Sequence, residues 1–214
     1  MDACAGQKMS EDVISACAAE GVHETALKLI STKNGRVLDA AAGRGALTQY
    51  LVQMGFETYP IDIDPDQFMV RGVKCFKADL NNQIPFADNF FDVVLCIETI
   101  EHLENPWQYL REVYRVLKPG GQLIISTPNI TNIFSRVKYL LKGNYYLFSK
   151  QDVLDHYHIE PIPSWKLEAM LEYEGFEIVQ RTCSKGYIPY VRRYFDTNSI
   201  LLGWIFVTVQ PINA

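Results

Sequence analysis

Between Val37 and Leu51 the chain reads Val-Leu-Asp-Ala-Ala-Ala-Gly-Arg-Gly-Ala-Leu-Thr-Gln-Tyr-Leu: a short apolar strand, a glycine-bearing turn, then an amphipathic helix. Such a unit belongs to a sheet covered by helices. Gly43 and Gly45 in the turn let a ligand lie against the backbone, and free N–H groups at the helix start favour its negative or polar parts. Asp39 sits where the strand ends. Its carboxylate would repel a dinucleotide pyrophosphate, but it attracts a ligand that carries an amino group and a sulfonium charge.

The same alternation continues along the chain. Residues 10–31 are helical in character, broken near Gly21, and Asn34-Gly35 is a turn signal before a first strand at Arg36–Asp39. A helix over Ala46–Met54 ends at Gly55, and strands are expected at Glu57–Ile63 and Val73–Lys77. Phe91–Ile97 is a continuous apolar run of the kind buried on both faces of a parallel sheet. A helix over Trp107–Leu117 is stopped by Lys118-Pro-Gly-Gly121, and Gln122–Ser126 is a fifth strand. A helix over Trp165–Tyr173, capped by Gly175, precedes strands at Phe176–Val179 and Trp204–Val209. This pattern predicts an α/β fold: a doubly wound, Rossmann-like, mostly parallel seven-stranded sheet with an antiparallel C-terminal hairpin and helices on both faces. One domain over 1–214 is expected, with a ligand-binding core at 36–126. The alternation lapses over 127–164, which carries Phe134, Tyr139, Tyr145, Tyr146, Phe148 and Tyr157. That segment reads as an insertion or lid over the carboxyl ends of the strands, where such sheets bind ligands.

Composition narrows the partners. The chain has 214 residues and a formal charge of −5, and no Lys/Arg block stands out, so nucleic acid is not an expected partner. The pair Arg192-Arg193 reads as a solvated pair or as a receiver for an anionic group. The five cysteines, Cys4, Cys17, Cys75, Cys96 and Cys183, are scattered without a CxxC, which argues for reduced thiols. The longest apolar run, Ile200–Val209, is interrupted by Gly203 and Thr208 and is about half of the roughly 20 residues that a spanning helix needs. The first residues lack a basic region followed by an apolar one, so no secretion signal is expected. The expectation is a cytoplasmic protein without stable membrane insertion, its oligomeric state left open.

In these motifs the chain resembles the class I S-adenosylmethionine-dependent methyltransferases, over about Val37 to Val179. The Asp39–Gly45 loop is similar to that family's D-x-G-x-G-x-G loop, with Ala41 where the first glycine stands. The resemblance implies S-adenosylmethionine as cofactor, S-adenosylhomocysteine as product, and a loop of Asp39, Ala41, Gly43 and Gly45 that holds the donor. It also implies that Asp62, with Ile63 beside it, takes the ribose hydroxyls, Asp64 being the runner-up. Ala78-Asp79-Leu80 looks like the family's adenine segment, Asp79 accepting from the exocyclic amine and the Leu80 backbone holding the ring. Cys96 to Glu98 look like the residues that face the sulfonium and the acceptor. Each element also has a plain structural reading, Asp39 as a helix cap and Asp62 as a turn residue.

Methyl transfer from a sulfonium needs alignment and exclusion of water rather than a nucleophile of the enzyme's own. An acceptor hydroxyl also needs a base, which a neutral histidine supplies near pH 7. The Glu98-Thr-Ile-Glu-His102 and Ser126-Thr-Pro-Asn129 runs resemble those of quinone-biosynthesis O-methyltransferases, which implies a small-molecule acceptor methylated on oxygen. His158 is the expected catalytic residue, as base or substrate ligand, because many small-molecule methyltransferases carry a similar histidine before the last helix. His102 reads rather as a brace for the following helix. No metal site is expected, since His156-x-His158 lacks a separated third ligand. The alternative is a methyltransferase-like protein that binds cofactor or a partner without catalysis.

Overall fold

The sheet is organised about β4 (Phe91–Ile97), whose side chains leave it alternately on the two faces. In the computed structural model, which describes residues 14–15, 18–188, 193–195 and 203–212, Val94 and Cys96 enter one core while Val93 and Leu95 enter the other. Parallel to β4 lie β1 (Arg36–Ala40) on one side and β5 (Leu117–Thr127) on the other. Beyond β1 come β2 (Glu57–Asp62) and β3 (Phe76–Lys77), also parallel. The chain closes with β6 (Phe176–Ile188), β7 (Arg193–Phe195) and β8 (Gly203–Pro211). β8 is inserted antiparallel between β5 and β6, giving the order β3-β2-β1-β4-β5-β8-β6-β7. The seven expected strands are all present, and the three-residue β7 adds a short eighth at the edge.

Helices cover both faces. On one, α1 (Val22–Leu29) and α2 (Ala46–Gln53) pack Val22, Ala26, Leu47 and Leu51 against Val37, Val93, Leu95 and Ile124. On the other, α3 (Pro106–Val116) and α6 (Ser164–Tyr173) pack Tyr109, Leu110, Val113, Leu167 and Met170 against Leu38, Val94, Cys96 and Ile125. Burying an apolar side chain of this size contributes about 1.5–3 kcal/mol, and these two layers fix the positions of the strand ends. Between β5 and α6 lie α4 (Ile133–Lys142) and α5 (Lys150–His156). No helix of the described residues is long and apolar enough to cross a membrane.

Several elements differ from the sequence reading. Among the described residues of the helix expected over 10–31, only α1 is helical, and a turn from Ala19 to Val22 (3.1 Å) leads into it. Residues 10–13, 16 and 17 lie outside the described residues, as do Cys4, Tyr190 and Arg192. β3 is only two residues long because it pairs with β2 only at Ile61 and Asp62. β6 runs far past Val179, since pairing with β8 resumes after register shifts at Ile178/Gln180 and Cys183/Gly186. The 127–164 segment contains two helices. Asn132 caps α4 by accepting from Ser135 N (2.8 Å), and Ser149 with Asp152 forms a capping box on α5.

At the amino ends of the strands Asp92 ties three of them together. Its carboxylate accepts from Arg36 N (2.8 Å) at the start of β1 and from Lys118 Nζ (2.7 and 2.8 Å) on β5. Burial raises its pKa, but the Lys118 and Arg36 bonds outweigh that and leave the carboxyl below its ordinary range. Asp92→Ala is expected to lower stability by about 1–3 kcal/mol, because a strand-end N–H loses its acceptor. Urea unfolding reads this, and donor affinity should stay unchanged, since the strands' other ends carry the site described next.

Candidate active site

The strand order reverses between β1 and β4, the point at which a doubly wound sheet opens a crevice at its carboxyl ends. A cavity of about 670 Å³ lies there. Its floor is the β1–α2 turn, one wall is the turn after β4, and the far side is Leu147, His156 and His158 from the 127–164 segment.

Strand alternation decides which side chains face the cavity. In register, Asp39 pairs with Leu95 and Ala40 with Cys96. Ala40 and Cys96 point into the α3 core, so Asp39 faces α2. There the Thr48 hydroxyl donates to Asp39 Oδ2 (2.5 Å). Asp39 lines the cavity, and burial pushes its carboxyl up to about 6, the Thr48 bond opposing that shift. The two glycines of the turn have different tasks. A Cβ on Gly43 (φ +54°) would meet nothing within 4 Å, and Gly43 lines the cavity, so its missing side chain leaves room beside the turn. A Cβ on Gly45 (φ +91°) would sit 2.6–2.7 Å from Val70 and Phe68, so Gly45 is required by packing of the 68–70 segment. Ala41, at φ +61°, occupies the left-handed conformation that a glycine would hold without strain, at a cost of about 1–2 kcal/mol.

Asp62 is buried at the end of β2, facing the same side as Asp39. Its Oδ2 accepts from Gly43 N (2.8 Å), and its Oδ1 from Asp64 N (2.8 Å) and Gln67 Nε2 (3.4 Å). Gln67 lines the cavity while Asp62 itself stands behind the turn. Asp64, the runner-up, is exposed and heads a 3-10 turn beyond the end of β2. Ile63 is 64% exposed. Asp79 accepts from Asn81 N (2.9 Å) and Asn82 Nδ2 (2.8 Å), and the Leu80 side chain is in the core.

Cys96, expected beside the reacting centre, is fully buried in the α3 core, and burial pushes its thiol up to about 12. The residues of this turn that face the cavity are Ile97 and Glu98. Glu98 has φ +51°; its N–H donates to Ser126 Oγ (3.1 Å), and its Oε2 accepts from Ala19 N (3.1 Å). Its Oε1 is buried without a partner, and burial pushes the carboxyl up to about 7.

Three further residues on the wall escaped the sequence reading or were given a lesser part. Glu101, only 1% exposed, accepts from Thr127 Oγ1 (3.2 Å) through Oε2 and leaves Oε1 unpaired; burial pushes it up to about 8. His102, read as a brace, lines the cavity. His23, which no motif marked, also lines it, with Nδ1 buried and unpaired. His102 Nδ1 lies 3.1 Å from the Tyr157 carbonyl, and His158 Nδ1 lies 2.8 Å from the Leu147 carbonyl. A carbonyl only accepts, so each imidazole carries its proton on Nδ1 and keeps a lone pair on Nε2. The two rings meet edge to face at 4.8 Å. Burial, before any other cause, holds both histidines below their ordinary pKa, so both are neutral near pH 7.

Residues 38–125 match the methyltransferase-domain family. A demethylmenaquinone methyltransferase of Tropheryma whipplei is 31% identical, the alignment covering 71% of each chain. A ubiquinone biosynthesis O-methyltransferase of Xanthomonas euvesicatoria is 29% identical over 86% of this chain and 82% of its own length. Among solved structures, a S-adenosylmethionine-dependent methyltransferase from Archaeoglobus fulgidus superposes with a TM-score of 0.67 at 21% identity, covering 88% of this chain and 92% of that one.

Gly43→Val should remove binding of S-adenosylhomocysteine while leaving a folded domain, because the branched side chain enters the cavity and disfavours the left-handed turn. Calorimetry together with a melting curve reads this, and normal binding by a folded variant places the ligand elsewhere. Asp39 sets a pH dependence. Its carboxyl stands at about 6 instead of 3.8, so the fold favours the protonated form, and that contribution is whole below about pH 4 and lost as pH rises through 6. A ligand ammonium favours the ionised form. Affinity for S-adenosylhomocysteine is therefore expected to rise between about pH 5 and 7, with a proton released at the lower end. Calorimetry in buffers of different ionisation enthalpy measures both, and a flat profile separates Asp39 from the ligand's charged end.

Proposed function

Because the chain belongs to the class I S-adenosylmethionine-dependent methyltransferases, we propose that it methylates an oxygen of a small-molecule acceptor, with His158 acting on the acceptor hydroxyl. The observation that carries this reading is the pair of neutral imidazoles on the cavity wall, each with Nδ1 tied to a carbonyl and a lone pair left on Nε2. Nitrogen acceptors bring their own lone pair, whereas a hydroxyl has a proton to lose, and a neutral histidine suits that task near pH 7. The names of both relatives concern quinone biosynthesis or a menaquinone precursor, and one of them specifies an O-methyltransferase, which favours the same acceptor class.

The residues present fit the donor. The space in front of Gly43 would be filled by any Cβ, and Glu98 keeps a buried, unpaired carboxylate oxygen on the same cavity. Bound S-adenosylmethionine supplies a methyl group already activated on a sulfonium. Asp39 attracts the donor's positive charge, Gly43 and Ala41 let it lie close to the backbone, and the turn is held in shape by Asp62. Asp62 keeps one of its about four lone-pair positions for a ribose hydroxyl, three being taken by Gly43 N, Asp64 N and Gln67 Nε2. Asp79, Leu80 and Ile63 bound the adenine end. Glu98 faces the donor beside Ile97, and Cys96 supports this turn from beneath. The 127–164 segment serves as a lid, bringing Leu147 and His158 across the cavity to exclude water. A cytoplasmic setting agrees with the three described cysteines, Cys75, Cys96 and Cys183, all free thiols.

His158→Ala is expected to lower turnover by about 10²–10⁴-fold with donor affinity nearly intact. The assay incubates labelled donor with small hydroxyl-bearing acceptors and identifies the methylated atom by mass spectrometry. A purely structural histidine would instead lower the melting temperature and depress donor binding and turnover together. Loss of turnover in His102→Ala with His158→Ala unaffected transfers the role to His102.

A further inference from the structure

Of the His156-x-His158 run, the fold brings only His158 to two separated ligands, Glu101 and His102. One donor atom each from Glu101, His102 and His158 lies within 4.8 Å of the others. Glu101 and His102 come from the 3-10 turn after β4, and His158 from the exit of α5. The two segments are pinned together, since Ile159 N and Glu160 N both donate to the Glu101 carbonyl (3.1 and 3.0 Å). Each of the three side chains is oriented by a partner on its far side: His102 by the Tyr157 carbonyl, with that of His156 near by, His158 by the Leu147 carbonyl, and Glu101 by the Thr127 hydroxyl. Outer partners of this kind fix the tautomer and aim of metal ligands. What remains facing the cavity is two imidazole lone pairs and one carboxylate oxygen, Glu101 Oε1, which is buried and unpartnered.

The wall is also short of positive charge. Glu98 Oε1 is a second buried, unpaired oxygen on it. Among the described residues that line the cavity, Arg44 is the one Lys or Arg, and its guanidinium donates to the Met69 sulfur. A buried acid is ordinarily paired, bound to metal or held protonated, and a cation would displace the proton here.

We propose that Glu101, His102 and His158 together hold one divalent cation able to take both imidazole and carboxylate, Zn²⁺ or Mn²⁺, with coordination positions left open to the cavity for the acceptor's oxygen. Two imidazoles and a carboxylate are a donor set for such an ion, and three protein ligands leave room for a further one. Bonds of about 2.0–2.2 Å would draw the three donors inward by about an ångström, which side-chain rotation allows. The use of the ion rests on the oxygen-methylation reading; its binding does not. An oxygen held there loses its proton to water more readily. Its electron pair then forms the bond to the methyl carbon as the carbon–sulfur bond breaks, and the sulfur departs as a neutral thioether. His158 acts through the ion in this scheme, so the rate of His158→Ala alone does not separate ligand from base.

The test is calorimetric titration of chelator-stripped protein with ZnCl₂, MnCl₂ and MgCl₂, with S-adenosylhomocysteine affinity and melting as controls. Zn²⁺ or Mn²⁺ is expected to bind at one per chain, and His102→Ala and Glu101→Gln to weaken it at least tenfold with S-adenosylhomocysteine affinity kept. Glu101→Gln preserves shape should His102→Ala fold poorly. No stoichiometric ion in the wild type, binding of Mg²⁺ alone, or affinity unchanged in both variants overturns the site. One ion per chain together with a methyl group found on nitrogen or carbon keeps the site and overturns the oxygen reading. O-methylation that proceeds undiminished in chelator keeps that reading and overturns the ion's part in it.

Discussion

Parallel pairing of β1 with β4 is the constraint from which the site follows. With Asp39 opposite Leu95 and Ala40 opposite Cys96, every second side chain of both strands is committed to the α3 core. Of the remaining ones, Val37, Val93 and Leu95 pack under α1 and α2, and Asp39 and Ile97 emerge at the point where the strand order reverses. The helices then act as walls. Thr48 on α2 holds Asp39, while Ser126 and Thr127 at the end of β5 hold Glu98 and Glu101. A slip of one residue between β1 and β4 would bury the acid under α3 if β1 moved, or turn the thiol toward the cavity if β4 did.

Backbone strain gathers around the same cavity. Of the five described non-glycine residues with positive φ, Ala41 and Glu98 end the two central strands, and Leu147 and Tyr157 lie in the segment above them. The latter two are the residues whose carbonyls meet His158 and His102. Each such conformation costs about 1–3 kcal/mol and persists only where the surroundings enforce it. Here the enforcement comes from the two apolar layers below, from α5 capped by Ser149 and Asp152, and from the Glu101 carbonyl that anchors the return of the chain. The strain has a geometric result, because it turns two carbonyls toward imidazoles that would otherwise be free to rotate.

Much of this was legible in the residues. The Asp39–Gly45 turn, the apolar run of β4 and the Lys118-Pro-Gly-Gly121 stop carried the fold, because each is a local signal with one structural meaning. The misplacement of Cys96 was avoidable: it has the same parity as Val94, so it had to share the α3 core. Asn132, and Ser149 three residues before Asp152, were cap signals for the two helices of the 127–164 segment. What no local pattern could show is the meeting of His102 with the Tyr157 carbonyl, 55 residues away, or of Glu101 with His158. Contacts at that separation are products of tertiary packing, and so was the separate duty of Gly45, which makes space for Phe68 and Val70 rather than for a ligand.

The electrostatics of the wall also bear on rate. A sulfonium loses its charge as the methyl group departs, so a fully ionised carboxylate against the sulfur would stabilise the donor more than the transition state and slow the transfer. The acids here avoid that by position and by burial. Asp39, at about 6, is mostly ionised near pH 7 and sits under the β1–α2 turn, suited to an ammonium group rather than to the reacting centre. Glu98, at about 7, is ionised only in part and stands on the turn after β4, nearer the histidines. Charge therefore declines from the β1–α2 turn toward the wall where transfer is proposed. The same gradient favours turnover after the reaction, since a neutral thioether draws less from either carboxylate than the sulfonium did.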